Sequence, residues 1–139
     1  MSEALNRKLQ AIAVRTVASS GNVAPILHEI RHALFDLAQS GATRIIDLKS
    51  MPLAPGEQER ILEVLGEGEL RIELVSLGRS DICETGYPGV WVVTHYDEDG
   101  ELKARFIEIS RIPDIVMSQQ GDINDGLDRL QQTLRTLSA

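Results

Sequence analysis

Residues 69–109 carry a succession of β-forming runs joined by short turns, and this region constrains the fold most. "ELRIELVSL" alternates Leu70, Ile72 and Leu74 with charged residues, which predicts a half-buried strand. Residues 79–85 are expected to be extended as well. "VWVVTHY" follows "GYPG", and "DEDG" turns that run into "ELKARFIEI", so residues 90–109 are predicted to form a hairpin.

Helical periodicity lies on both sides of this β region. Residues 1–18 are predicted to form a first, amphipathic helix. A second helix is predicted after Asn22, which is expected to be its N-cap, and "SG" at residues 40–41 ends it. The apolar residues that predict these two helices are Leu5, Leu9, Ile12 and Ala13, then Val23, Ile26, Leu27, Ile30, Leu34, Leu37 and Ala38.

Three further elements complete the prediction. "TRIIDL" at residues 43–48 indicates a strand, and "EQERILEVL" indicates a short helix that Gly66 ends. Asp122 is expected to cap a last helix whose apolar residues recur at steps of four and three. Those residues are Ile123, Leu127, Leu130, Leu134 and Leu137. This order favours an α+β fold with a mainly antiparallel sheet of about four to five strands, packed with three to four helices.

Length and composition limit the class of protein. The 139 residues predict one domain, 1–139, with an N-terminal helix at 1–20 and a core at 22–139. No apolar run approaches the ~20 residues that span a bilayer. The net charge is -7 and no stripe of Lys and Arg is present, which argues against nucleic-acid binding. The single cysteine, Cys83, excludes an internal disulfide, and a cytoplasmic location is expected.

"LHEIRHALFDL" contains His28, Glu29 and His32 in the spacing H-E-x-x-H. On a helix this spacing would let two imidazoles bind Zn²⁺ while the glutamate activates the metal's water. The apolar stripe of the same helix is centred near Ile30 and Leu34, however, so both histidines are expected on the solvent side. A third ligand would have to be His95 or a nearby acid. A solvated helix face is therefore the favoured interpretation, and zinc hydrolysis is the alternative.

The run "SDICETGYPGVW", residues 80–91, is predicted to form a strand, a constrained reversal and a second strand. Gly86 and Gly89 tolerate unusual backbone angles, and Pro88 restricts both itself and Tyr87. A stiff corner that presents Tyr87 beside Trp91 would bind a partner at low entropic cost. The alternative is that the Trp91 ring fills the core and the glycines only make the bend.

The string "GRSDICETGYPGVWVV" resembles the carboxy-terminal domain of the HupH/HyaF family of hydrogenase expression proteins. The resemblance covers residues from about 45 to 130. The matching positions are Glu84, Thr85, Pro88, Gly89, Val90 and Trp91 in this string, Pro52, Leu53, Pro55 and Gly56 in a loop, and Gly66, Gly68 and Glu69 before a strand.

The resemblance implies an accessory, non-catalytic role in the maturation of nickel–iron uptake hydrogenases, with no cofactor. The implied partners are the hydrogenase small-subunit precursor, around the time its iron–sulfur clusters are installed, and other maturation proteins. We expect the partner-binding residues to be Glu84, Thr85, Tyr87, Pro88, Gly89 and Trp91, with the loop of Pro52 and Pro55 near them.

Two departures from the family pattern leave alternatives open. Cys83 stands where the family is expected to favour a basic residue, and an iron–sulfur carrier would need two chains to share a cluster through this cysteine. The chain is also shorter than typical members of the family. Pairing as a homodimer would restore the missing half.

Overall fold

The computed structural model describes residues 21–139, and the helix predicted over residues 1–18 lies outside this part. The chain forms helix α1 (Val23–Ser40), strand β1 (Arg44–Asp47), helix α2 (Glu57–Leu65) and four successive strands. These strands are β2 (Arg71–Val75), β3 (Arg79–Glu84), β4 (Val90–Tyr96) and β5 (Leu102–Ile109). A 3₁₀ turn at Asp114–Val116 leads to helix α3, Gln120–Ser138.

The five strands form one antiparallel sheet in the order β1-β5-β4-β3-β2. Strands β2 to β5 are neighbours in both sequence and space, as the hairpin succession predicts. Strand β1 pairs with β5 at the far edge, where Ile46 lies opposite Ile107. The α+β prediction is confirmed, with five strands and three α-helices among residues 21–139.

Helices α1 and α2 cover one face of the sheet. Their apolar stripes pack against residues of β1, β4 and β5 whose side chains alternate toward the helices. The buried members of this core are Val23, Ile26, Ile30, Ala33, Leu37, Ile46, Leu48, Ile61, Leu65, Val90, Ile107 and Ile109. Burial of so much aliphatic surface is the main stabilising contribution to the fold.

The second face of the sheet carries a smaller apolar cluster. Ile82, Trp91 and Val93 are its buried members, and Val116 from the 3₁₀ turn packs against them. The segment after β5 is held there by Glu108, whose Oε2 accepts hydrogen bonds from the Ser110 hydroxyl at 3.1 Å and the Asp114 N–H at 3.3 Å. This segment therefore covers the second face of the sheet.

Three local predictions need correction. Asn22 does precede α1, but its side chain makes no cap bond, because a ψ of -11° lies outside the extended region that a capping side chain requires. Asp122 does not cap α3, which begins at Gln120, so the carboxylate lies in the first turn. Among residues 21–139, strand β2 is an edge strand that pairs only with β3, and Leu70 and Leu74 are consequently exposed.

No helix within residues 21–139 is both long enough and apolar enough to cross a membrane.

Candidate functional site

The reversal between β3 and β4, residues 85–89, is held together by the buried side chain of Thr85. Its hydroxyl donates to the Val90 carbonyl at 2.8 Å and accepts the Tyr87 N–H at 3.1 Å. The Thr85 N–H also donates to the Val90 carbonyl, and the Val90 N–H donates to the Tyr87 carbonyl. We call residues 85–89 the corner. Its rigidity comes from this hydroxyl as well as from glycine and proline.

Both helices on the first face of the sheet contact the corner. The Gly86 N–H donates to the Leu65 carbonyl at the end of α2, at 2.9 Å. Gly89 has a φ of +94°, and a Cβ there would lie 3.1 Å from Leu34 Cδ1 and 3.2 Å from Leu37 Cδ2 of α1. Only glycine adopts this backbone angle readily at so close an approach. The corner is therefore anchored to α1 and α2 at once.

The two aromatic residues of this region differ in exposure. Tyr87 is 51% exposed, whereas Trp91 is 2% exposed and its Nε1–H donates to the Ser110 carbonyl at 3.0 Å. The prediction that Trp91 is presented beside Tyr87 is wrong, and the alternative that the indole fills the core holds. Because side chains alternate along β4, Trp91 points to the second face, under the segment that follows β5.

A cleft of about 270 Å³ lies between α1, the end of α2 and the corner. We call it the corner cleft; its lining residues are Leu27, Ile30, Arg31, Leu34, Val64, Leu65, Tyr87 and Val90. Seven of these eight side chains are apolar or aromatic, and Arg31 adds one positive charge. Within the described part of the chain Arg31 forms no salt bridge. The cleft can accept an apolar side chain next to a carboxylate.

Glu84, Pro88 and Gly89, which match the family string, line a second cleft with Arg111 and the end of α1. Glu84 also connects the corner to the segment before β2. Its carbonyl accepts the Gly68 N–H at 2.8 Å, and its carboxylate accepts the Glu69 N–H at 3.2 Å. A Cβ on Gly68 would overlap the Thr85 carbonyl oxygen, so this glycine permits the close approach. Glu84 thus positions the corner.

The loop of Pro52 and Pro55 does not lie beside the corner. It precedes α2, whereas the corner contacts Leu65 at the other end of that helix, roughly 12 Å further along the axis. Glu57 holds this loop instead. Glu57 is 1% exposed, and its carboxylate accepts the N–H groups of Ala54 at 2.7 Å and Asn22 at 3.2 Å. The expected proximity is wrong, because α2 separates the two segments.

His28 and His32 lie on the solvent side of α1, as the periodicity predicts. Glu29, the central acid of the motif, holds Arg44 in an ion pair of 2.8 Å. His95 is remote from this helix face; its Nδ1 lies 2.6 Å from the Ser80 hydroxyl on the second face of the sheet. No group of three or more His, Cys, Asp or Glu side chains within residues 21–139 could hold a metal ion.

Cys83 lies on β3, between β2 and β4, and lines a cleft of about 300 Å³ with Arg71 and Arg105. Burial raises the pKa of its thiol, and the positive charge of Arg71 opposes that rise. A raised pKa lowers the thiolate fraction, and thiolate is the form that attacks electrophiles and ligates metals. This environment is typical of an unreactive cysteine.

Sequence reasoning missed the role of Thr85 and the position of Val64. Thr85 was expected to contact a partner, but it is 2% exposed and its side chain bonds the local backbone, as a threonine at the start of a turn often does. Val64 lies in α2 and lines the corner cleft, yet it is exposed and belongs to no motif. The role of Thr85 could have been predicted from turn chemistry. The position of Val64 depends on the packing of α2 against the corner, which no sequence pattern indicates.

Comparison with known proteins identifies the family. Residues 21–137 match the family described as HupH hydrogenase expression protein, C-terminal conserved region. The hydrogenase expression/formation protein HoxQ of Azotobacter vinelandii is 30% identical over 121 residues, which is 84% of this chain and 42% of HoxQ. The hydrogenase-1 operon protein HyaF of Escherichia coli is 28% identical over 119 residues, 84% of this chain and 40% of HyaF.

A solved structure gives the same result. The hydrogenase expression protein HupH from Thiobacillus denitrificans superposes with a TM-score of 0.77 at 36% sequence identity, covering 88% of this chain and 100% of that one. The chain spans about two-fifths of the length of the curated relatives it matches. Because the family match includes the corner, both helices on the first face and all five strands, this chain belongs to the HupH hydrogenase expression protein family, as its C-terminal conserved region.

Proposed function

We propose that this chain is an accessory factor in hydrogenase maturation that binds a segment of the hydrogenase small-subunit precursor at the corner cleft. Family membership supports the hydrogenase context, since relatives are named hydrogenase expression/formation proteins. The binding takes place in the cytoplasm, around the time that iron–sulfur clusters are installed, and other maturation proteins take part. The chain makes and breaks no covalent bond in this role.

The corner cleft is the single observation that carries the proposal. Its exposed ring, Tyr87, sits on backbone that Thr85 fixes and that both helices contact. Few rotatable bonds would be frozen when a partner binds, so little conformational entropy is lost. Tyrosine at the edge of an apolar cleft is also among the residues that dominate binding energy at interfaces.

The chemistry of the cleft describes the segment that would bind. A volume of about 270 Å³ admits one or two aliphatic or aromatic side chains. Arg31 at the same cleft would pair with a carboxylate of the partner, which adds specificity and a faster association. The expected segment is therefore an apolar anchor with an acidic residue nearby.

Co-purification of this chain with the hydrogenase small-subunit precursor tests the proposal. Val64→Glu places a charge in the cleft and Tyr87→Ala removes the ring, and each should reduce the bound precursor at least about tenfold. Val75→Glu is the matched control, because Val75 is an exposed valine at the end of edge strand β2, away from the cleft. The paired substitution of His28 and His32 by alanine should leave binding intact.

Two outcomes would contradict the proposal. Binding that survives both Val64→Glu and Tyr87→Ala would place the contact elsewhere on the chain. Loss of binding through the histidine substitutions alone would place the contact on the solvent face of α1. Far-ultraviolet circular dichroism of each variant separates loss of binding from loss of the fold.

The zinc hydrolase and iron–sulfur alternatives have weaker support. His28 and His32 are exposed, their Glu29 holds Arg44, and residues 21–139 supply no third ligand near them. Cys83 is half-buried on an interior strand and its pKa is raised by burial, which disfavours a cluster shared between two chains. Stoichiometric zinc that is lost on His32→Ala would support the zinc hydrolase. Visible absorbance of anaerobically prepared protein would support the iron–sulfur carrier.

A further inference from the structure

Helix α3 exposes a continuous row of five large aliphatic side chains. Their exposed fractions run from 51% to 76%, and no residue of the helix is buried. We call them the α3 seam: Ile123, Leu127, Leu130, Leu134 and Leu137. Exposed apolar patches larger than a few hundred Å² on a single chain mark interaction surfaces.

The spacing of the seam indicates what kind of surface it meets. Its steps of four and three residues follow the strict heptad pattern, with Leu127 and Leu134 at position a and Ile123, Leu130 and Leu137 at position d. Helix α1 has a wider stripe and lies on the sheet. A two-position stripe is too narrow for a sheet and fits the seam of one helix against another. The expected partner is therefore a helix.

Charge around the seam allows two copies of the same chain to meet there. The flanking e and g positions are Asn124, Gly126, Gln131, Thr133 and Ser138, none of them charged. Charged side chains are confined to positions b, c and f. Two copies of a chain with a net charge of -7 can therefore meet along this line without like charges facing one another across the seam.

The distribution of the charged side chains along α3 indicates an antiparallel arrangement. Asp122, Asp125 and Asp128 lie in its first half, and Arg129 and Arg135 lie in its second half. In an antiparallel pair the acidic half of each helix runs beside the basic half of the other, and the helix dipoles oppose. A parallel pair would place acid beside acid.

The exposed area is sufficient for a weak dimer. Taking roughly 200 Å² for a fully exposed leucine or isoleucine, the five residues expose on the order of 600 Å² per chain. Pairing would remove on the order of 1,200 Å² from water, which is at the lower end for specific interfaces. We propose that α3 pairs antiparallel with α3 of a second copy, with Ile123 facing the partner's Leu134 and Leu127 facing the partner's Leu130.

The oligomeric state of the full chain tests this pairing. Sedimentation across a concentration series should show a reversible monomer–dimer equilibrium. Leu127→Glu should raise the dissociation constant by about a hundredfold or more, because symmetry places the substitution in the seam twice. Gln132→Glu is the matched control, since it adds the same charge at position f, on the far side of α3. It should leave the equilibrium within about threefold.

Cross-linking tests the orientation. Asn124→Cys and Gln131→Cys are prepared separately with Cys83→Ser in both, so that each chain has one thiol. In the antiparallel pair, residue 124 lies beside the partner's residue 131. A mixture of the two variants should therefore form disulfide-linked dimers under mild oxidation, and neither variant alone should do so.

Three results would overturn the pairing. The first is a chain that stays monomeric up to about 1 mM. It would overturn the pairing regardless of whether another protein or residues 1–20 cover the seam. The second is a dimer that Leu127→Glu leaves unchanged. The third is cross-linking of each single variant with itself but not in the mixture. None of these results depends on the hydrogenase precursor, so the pairing and the proposed function can fail separately.

Discussion

The corner and helix α3 both carry apolar or aromatic side chains at regular positions, but the rest of the chain packs against them very differently. The corner contacts α1 through Gly89 and α2 through Gly86, and the indole of nearby Trp91 is buried. Helix α3 has no buried residue. The same type of side chain therefore stabilises the fold in one region and remains available for association in another.

Truncation of a large apolar side chain in each region gives the largest expected difference. Trp91→Ala should lower the free energy of unfolding by about 3–5 kcal/mol, since it leaves a cavity and removes the hydrogen bond to Ser110. Leu130→Ala in α3 should change it by less than about 0.5 kcal/mol in dilute protein. Urea denaturation monitored by circular dichroism measures both. Comparable losses for the two variants would show that α3 is packed in the monomer.

A glycine substitution in each region should change stability in opposite directions. Gly89→Ala should cost about 1–3 kcal/mol, because alanine is strained at a φ of +94° and its methyl group would crowd Leu34 and Leu37. Gly126→Ala in α3 should gain about 0.5–1 kcal/mol, because a Cβ there meets nothing closer than 3.9 Å and alanine favours a helix. Thermal unfolding of the two variants should give shifts of opposite sign, and shifts of equal sign would contradict this account.

The reactivity of thiols gives the smallest expected difference. Because burial raises the pKa of the Cys83 thiol, the thiolate fraction at pH 9 is lower in the folded chain than in the unfolded one. Alkylation by iodoacetamide should therefore be about threefold or more slower than in urea-unfolded protein at that pH. Gln132→Cys with Cys83→Ser, on the exposed side of α3, should react at nearly the unfolded rate. A Cys83 rate profile that is centred at the same pH in the folded and the unfolded chain, or at a lower pH in the folded chain, would contradict the prediction.

Local periodicity predicted most of the elements, because each depends on residues close in sequence. Helix α2 matches the predicted 57–65 span, and β5 ends at Ile109 as the hairpin requires. Periodicity did not predict that β2 is an edge strand, since the strand order depends on β1 joining β5 across the molecule. The exposure of Leu70 and Leu74 follows from that order.

The candidate site was predicted less completely than the fold. Tyr87 and the bend were predicted from the sequence, and the family resemblance also indicated this region as the partner-binding site. Trp91 was expected to contact a partner, and its burial was the alternative. Alternation along β4 allows either face, and only the path of the chain after β5 decides between them. The corner cleft itself joins Val64, Leu34 and Tyr87, which come from three separate elements.

The position of β1 has a consequence for the newly made chain. Ile46 pairs with Ile107, so the strand at this edge must wait for about 60 further residues to leave the ribosome. Meanwhile the apolar stripe of α1 has no completed sheet to lie on, and early chains would expose it to chaperones. Loop closure over so long a separation is slow, so docking of β1 on β5 is expected to be a late event in folding.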